Sequence, residues 1–390
     1  MSRSLSIACL SHVASPQAPT GAERSLGLLA SSLAARGHRV VVVAPGPWAL
    51  ESELRAGGVE VETIPSSPCW TTYWEPRPWP LAVGKWLRGL ASSWTNGALS
   101  AYLDRRNPDV VHVNCLPHLA GASAAARYGR PVLWHLREIL PPGRRRRWWA
   151  RRLEENASLV VAVSEAVGRW VADEGLGDRL HVVPNGVVQD DASLDRERSR
   201  IALGLAPDAG VVVGLYGQLV PHKGALQFIE AAAAAAARAP RLRFVLAGAG
   251  PDLFRRRCEQ AITASGWADR FRLLPPQPSA EELMAAADVV CLTTTTPDPF
   301  PRAVLEAMGA GRPVVAFDSG GTAEMVVDGE TGFVVPMGDT VALAEALCRL
   351  EADDRLRESM GGRGARRARE HFSLERHVDR MESLLMELSG

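Results

Sequence analysis

The sequence predicts two open α/β domains in tandem, each a parallel sheet wrapped by helices. Three features carry that expectation. From Leu5 onward, short β-branched runs alternate with amphipathic stretches, the rhythm of strand, crossover helix and next strand. The strand candidates are nearly continuous apolar runs, which suits strands covered on both faces. The rhythm breaks once, at the polar stretch PNGVVQDDASLDRERSR, and then restarts.

In chain order, the strand candidates of the first half are SIACL, RVVVVAP, VEVETIP, DVVHVN, PVLWHL and SLVVAVS. Those of the second half are GVVVGLYG, RFVLAGAG, RFRLLPP, DVVCLTT, PVVAFD and GFVVP. The expected boundaries are residues 1–185 for the first domain, 186–207 for a linker, 208–372 for the second domain and 373–390 for a terminal helix. That last segment, SLERHVDRMESLLMEL, is amphipathic and has no strand after it. Lying back on the first domain is one way for it to bury its apolar face. The seven alanines at 231–237 read as ordinary helix on propensity.

A chain of 390 residues exceeds the usual size of one core, so two domains are the default. Hydrophobic content of 46% with 23% charge is that of a soluble globular protein. Acidic and basic residues balance at 44 each, so no global field calls for nucleic acid or an acidic partner, and recognition by charge must be local. The six cysteines are scattered without a C-x-x-C pair, which argues against a zinc site or a disulfide framework and suits a reducing cytoplasm. The N-terminal apolar run is too short for a signal peptide, and no run of about 18 apolar residues is present to span a bilayer. Only Lys85 and Lys223 among the 44 basic residues are lysine, so each lysine stands out.

Ligands of open parallel sheets bind where strands end and helices begin. Four such loops stand out. In GLYGQLVPHKGALQF, Lys223 lies beside Gly224 at a helix start, where charge and backbone N–H groups together would hold a diphosphate; a solvated loop lysine is the plainer reading. VLAGAGPDLF has Gly248 and Gly250 but Leu253 in place of a third glycine, so a tight structural turn fits better than a dinucleotide fingerprint. In TTPDPFPRAVLEAMGAG, prolines flank Asp298, Pro301 suits a first helical turn, and Glu306 follows inside a helix whose small apolar residues suggest burial. Glu306 then needs a hydrogen-bonding partner, and a ribose diol is one. In FDSGGTAEMVVDGETGFVVP, the paired glycines after a strand allow close approach of a ligand, though a plain turn uses them equally well.

Taken in order, GQLVPHKG, LAGAGP, DPFPRAVLEAMGAGRPVVA and SGGTAEMVVDGETGFVVP resemble the donor domain of the family 4 glycosyltransferases. TGAERSLGLLASSLAARGHRVVVVAP, PDVVHVN, PVLWHLRE, VVAVSEAV and HVVPNGV follow the same family's order in the first half. The resemblance implies the GT-B fold, two Rossmann-like domains facing across a cleft, with the C-terminal helix crossing back to the N-terminal domain. It implies retaining, metal-independent transfer of a sugar from a nucleotide-diphosphate sugar, with no cofactor beyond that co-substrate. Lys223 matches the family's phosphate-binding lysine. Glu306 matches the acid that holds the ribose and Asp298 the acid near the donor sugar. Backbone amides around Phe300, Arg302 and Ala303 would face phosphates and sugar, with Gly217, Gln218 and Gly248 also on the donor side. His135 matches the first-domain histidine near the reacting carbon, and Gly21 lies in the loop that meets the donor from the acceptor side. Three residues depart from the pattern. Gln218 replaces a common arginine, for which His222, Arg302 or Arg137 could substitute; Asp298 is one methylene shorter than the usual glutamate; Pro301 lacks an N–H.

Acceptor choice is expected from the first domain. CWTTYWEPRPWPLAVGKWLRGLASSW holds five of the eleven tryptophans, Trp70, Trp74, Trp79, Trp86 and Trp94, and PPGRRRRWWARR sets four arginines beside Trp148 and Trp149. Such segments suit a membrane interface, a platform for sugar rings, or a partly buried cluster with a solvated basic helix. The expected acceptor is a glycan, lipid-linked or small-molecule hydroxyl, with no nucleic acid and with peripheral contact at the inner membrane face as one reading. A sugar-nucleotide epimerase, a phosphorylase and a non-catalytic sugar-nucleotide binder are the competing functions.

Overall fold

The computed structural model describes residues 3–12, 19–66, 97–188, 195–277 and 279–390. The five-tryptophan segment lies outside the described residues. The chain divides into two compact units, residues 1–186 with 374–390, and residues 187–373.

The first unit is built on a parallel sheet in the order β3-β2-β1-β4-β5-β6-β7. Its strands are β1 (Ser6–Leu10), β2 (Arg39–Ala44), β3 (Glu60–Thr63), β4 (Val110–Asn114), β5 (Val132–Leu136), β6 (Leu159–Ala162) and β7 (Leu180–Val182). Its helices include α1 (Gly21–Ala35), α2 (Glu51–Ala56), α3 (Leu119–Arg127), α4 (Arg144–Asn156) and α5 (Glu165–Asp173). The second unit's sheet runs β10-β9-β8-β11-β12-β13. Its strands are β8 (Val211–Tyr216), β9 (Leu242–Ala247), β10 (Phe271–Leu274), β11 (Val289–Leu292), β12 (Val314–Phe317) and β13 (Gly332–Val335). Its helices are α6 (Arg196–Ala202), α7 (Ala225–Ala236), α8 (Asp252–Ala264), α9 (Ala280–Ala286), α10 (Arg302–Gly309), α11 (Thr322–Met325), α12 (Thr340–Ala352) and α13 (Asp354–His371). Every proposed strand segment contains a strand. β7 is the addition, a three-residue, half-buried edge strand too short to give an apolar run.

The terminal helix α14 (Leu374–Leu388) belongs to the first unit. Its Val378, Met381, Leu384 and Leu385 are buried with Leu26, Leu29 and Leu33 of α1 and with Ile7, Cys9, Val40 and Val42 of the sheet. The apolar stripe read in the sequence is thus covered, and Glu382 of α14 accepts from the His38 ring at 2.7 Å.

In the second unit the alanine run has a packing role: Ala231, Ala232, Ala235 and Ala236 are buried with Leu343, Ala346, Leu347 and Leu350 of α12, where small side chains let two helices approach closely over Phe228 and Phe244. The stretch expected as linker differs. Residues 196–202 form α6, capped by Asp195, and the 3% exposed Arg200 donates to Asp288 at 2.6 Å and to Ala286 O at 3.1 Å. Asp288 also accepts the Val212 amide at 2.7 Å, so α6 is anchored to the base of the second sheet. A helix held by a buried ion pair has no apolar stripe, and periodicity does not see it.

Candidate active site

At the carboxyl end of the second sheet, the loops after β8, β9, β11 and β12 are tied to one another by backbone. Gly217 N donates to Ala247 O at 3.0 Å and Leu219 N to Ala249 O at 2.7 Å. Thr295 N donates to His222 O at 2.9 Å, and Gly321 N to Asp298 O at 2.8 Å. Two glycines are required by this lacing. Gly224, at φ 75°, would carry a Cβ only 1.7 Å from Thr293 O, and a Cβ on Gly248 would fall 1.5 Å from Gly217 O. Gly248 is therefore the meeting point of two loops.

On this frame stand four charged side chains in two pairs. Lys223, the last residue of a 3₁₀ turn before α7, places Nζ 2.6 Å from Asp298 Oδ2. Asp298 is 8% exposed and its loop is pinned: its N–H donates to Ser319 Oγ at 3.2 Å, while Ser319 Oγ donates to Thr296 O at 2.7 Å. One helical turn further on, Arg302 directs Nε at 3.0 Å and Nη2 at 2.8 Å to Glu306 Oε1. The partner that Glu306 needs is thus supplied by the protein itself, so Arg302 is not an uncommitted substitute for the cation absent at Gln218. Pro301 occupies the cap of α10 and, having no polar side chain, gives no side-chain cap hydrogen bond to the helix's positive end. Phe300 is an anchor, 5% exposed, with its ring edge-on to Phe372 at 5.5 Å. Gly217 and Gln218 lie exposed beside this group.

The remaining predicted residues belong to the first unit. Gly21 is the exposed first residue of α1, and a capping box fixes it: Glu23 N donates to Thr20 Oγ1 at 3.4 Å, and Thr20 N to Glu23 Oε2 at 2.7 Å. His135 lies inside β5 with no exposure, its ring 5.6 Å from that of His112 and 6.2 Å from that of His377. The first residue past the strand is Arg137, whose Nε donates to Asn114 Oδ1 at 2.8 Å and Nη1 to Asn185 Oδ1 at 2.5 Å. Arg137 Nη2 stands 3.5 Å from His135 Nδ1. A guanidinium only donates, so Nδ1 is the acceptor and the proton sits on Nε2, a buried atom with no hydrogen-bond partner among the described residues. Burial first, and the Arg137 charge second, hold His135 well below the usual histidine range, so it is neutral at pH 7. Such a ring offers a neutral N–H rather than an acid.

Pairing and burial escaped the sequence for different reasons. Lys223 and Asp298 are 75 positions apart and meet only through the fold. Asn114, Asn185 and His112 were not singled out, although Asn114 ends a strand and could have been. Glu138, two residues past β5, accepts the Leu116 amide at 3.1 Å and the Arg137 amide at 3.0 Å, and burial pushes its carboxyl up to about 7.

Two family models match in succession. Residues 19–191 match the model described as "Glycosyltransferase Family 4", and residues 210–353 match "Glycosyl transferases group 1". A D-inositol 3-phosphate glycosyltransferase of Actinosynnema mirum is 35% identical over 239 residues, 59% of this chain and 55% of that protein. A phosphatidyl-myo-inositol mannosyltransferase of Mycobacterium leprae is 33% identical over 215 residues, 54% of each. The chain thus spans about half the length of these curated relatives. The crystal structure of Anabaena HepE in complex with UDP-glucose has a TM-score of 0.80 at 25% identity, covering 98% of this chain and 100% of that one. With the two-sheet GT-B architecture shared along its whole length and the two models meeting near the division of its units, the chain belongs to the family 4 glycosyltransferases.

Proposed function

We propose that the protein moves a sugar from a nucleoside-diphosphate sugar to an acceptor hydroxyl, with retention at the anomeric carbon and without a bound metal. One observation carries this reading: the segment from Asp298 to Glu306 sets two acids, each paired with a cation, at the carboxyl end of a parallel sheet and at the start of a helix led by Pro301. An incoming diphosphate competes with Asp298 for Lys223, and the amides at the start of α10 add donors for it. Released from Lys223, Asp298 accepts from hydroxyls of the donor sugar. Glu306 grips the ribose diol from a rigid helix, with Arg302 alongside. His135 contributes a neutral N–H from Nε2 to the first unit's share of the reaction. Departure of the sugar leaves negative charge on the diphosphate, and Lys223 with the α10 amides stabilises it.

The names of the relatives support a polyol acceptor, an inositol or its lipid-linked form. A cytoplasmic location, expected from the unpaired cysteines, belongs to the same reading. The test is a thermal-shift panel of UDP-, GDP-, ADP- and dTDP-sugars, since a ligand that binds the native state raises its apparent stability. A shift with one nucleotide class, followed by NMR of the product anomer with chelator present, is the expected result. No shift with any of the four sinks the proposal, and inversion at the anomeric carbon, or loss of turnover on chelation, sinks the mechanism.

A further inference from the structure

Helix α4 reads RRRRWWARRLEEN, and the fold sorts its residues into two faces. Inward, Trp149 is fully buried with its ring edge-on to Trp134 at 6.3 Å, and Ala150 and Leu153 are buried with it. Arg146 also turns inward and is neutralised, donating to Glu174 at 2.8 Å and Asp173 at 2.9 Å. Outward stand Arg144, Arg145, Arg147, Trp148 and Arg151, all exposed. Helical spacing makes Arg144, Arg145, Arg151 and Arg152 the neighbours of Trp148 at three and four positions to either side. The tryptophan, 39% exposed, is therefore the centre of a basic face, with the Arg152 guanidinium 5.2 Å above its ring.

Nothing within the described residues accounts for this face. Arg144, Arg145, Arg147 and Arg151 form no salt bridge there, whereas Arg152 is paired with Glu155 at 2.5 Å. Helix stability does not explain the order either. The first turn holds only cations, Gly143 at the cap has no side chain to offer, and positive charge at a helix N-terminus opposes the macrodipole. An exposed indole on the same helix face as the unpaired Arg144, Arg145 and Arg151 matches the boundary of a bilayer, where the ring sits at headgroup depth and the charges meet anionic lipid.

We infer that the outer face of α4 docks on an anionic phospholipid surface. A lipid surface accounts for the tryptophan at the centre, which a row of nucleic-acid phosphates would not require, and the zero net charge of the chain supplies no general polyanion affinity. The inference does not rest on the donor-site reading, because docking needs no nucleotide.

The test is sedimentation of the full chain, without nucleotide, with phosphatidylcholine vesicles containing or lacking phosphatidylglycerol. Binding only to the anionic vesicles, falling as salt is raised, is expected. Each arginine should contribute about five-fold to partitioning, so Arg144→Gln, Arg145→Gln, Arg147→Gln and Arg151→Gln together should lower it several hundredfold, on the order of the four factors combined. The same four positions changed to lysine should retain most of the binding, and Trp148→Ala should lose roughly tenfold while keeping the salt dependence. Should the glutamine variant not fold, the lysine variant and the salt titration of the unaltered chain decide the matter. Failure of the unaltered chain to sediment with anionic vesicles at low salt overturns the inference. So does a folded glutamine variant that sediments as well, or tighter binding to a duplex oligonucleotide than to the vesicles.

Discussion

At the carboxyl end of the first sheet the polar side chains are buried and mostly neutral, while at the same end of the second sheet they are partly exposed and paired as ions. His112, His135, Asn114 and Asn185 surround the Arg137 guanidinium with no more than 8% exposure among them. Lys223 and Glu306 keep 34% and 20% of their side chains exposed and lie in ion pairs. Both regions begin from the same geometry, loops leaving parallel strands, so the difference lies in what the loops enclose. A buried set answers to protons, because charging any member requires desolvation; a paired, wetter set answers to anions that compete for its cations.

Acidification should expose that difference most strongly. Burial holds His112 near 3 against 6.5 in the unfolded chain, so below pH 6.5 the unfolded state takes up a proton that the native state refuses. The stability present above 6.5 is then lost as pH falls, and His112 alone withdraws ~3 kcal/mol by about pH 4.5. His12, His118 and His135 are shifted in the same direction. Glu138, raised to about 7 from 4.5, works the other way, since the native state gains a proton on it as pH falls through that window. Four histidines outweigh one carboxyl, and urea unfolding across this range should show stability dropping steeply below pH 6.5. A flat profile between pH 7 and 5 would break the comparison at its first term.

In the second region the largest effect belongs to Glu306→Gln. Loss of hydrogen bonds from a ribose diol to a charged acceptor is expected to weaken nucleotide binding by roughly ten- to a hundredfold, measurable by calorimetry with the free nucleoside diphosphate. Unchanged affinity would remove Glu306 from the site. A smaller change of opposite sign is expected from Asp298→Asn. Freeing Lys223 from an ion pair of this exposure should raise diphosphate affinity by about five-fold at most, while transfer falls because the sugar has lost its acceptor. The sequence placed Asp298 near the donor sugar and Lys223 at the phosphates, with no link between the two. The 2.6 Å contact couples the two, and an affinity that does not rise in the variant would show the pair to be energetically silent.

What was legible in the chain follows from the range over which each signal acts. Strand runs such as RVVVVAP and the stripe of SLERHVDRMESLLMEL are local patterns of burial, and they appear as β2 and α14. The loops carrying Lys223, Asp298 and Glu306 were legible because glycine and proline mark strand ends at fixed positions. Helix α6 was not, since Arg200 and Asp288 are 88 positions apart and their ion pair leaves no periodicity. Nor was the sorting of α4, where four consecutive arginines look alike until Glu174 selects Arg146 as the inward one.

By itself, then, the sequence determined two parallel α/β sheets, the loops that hold the candidate residues and the family to which the chain belongs, because apolar periodicity, turn residues and short motifs are written in neighbouring positions. The tertiary structure decided which charges neutralise one another, which histidines stay uncharged and which arginines remain unpaired. Those outcomes depend on distance and dielectric between residues far apart in the chain, and no local pattern encodes them.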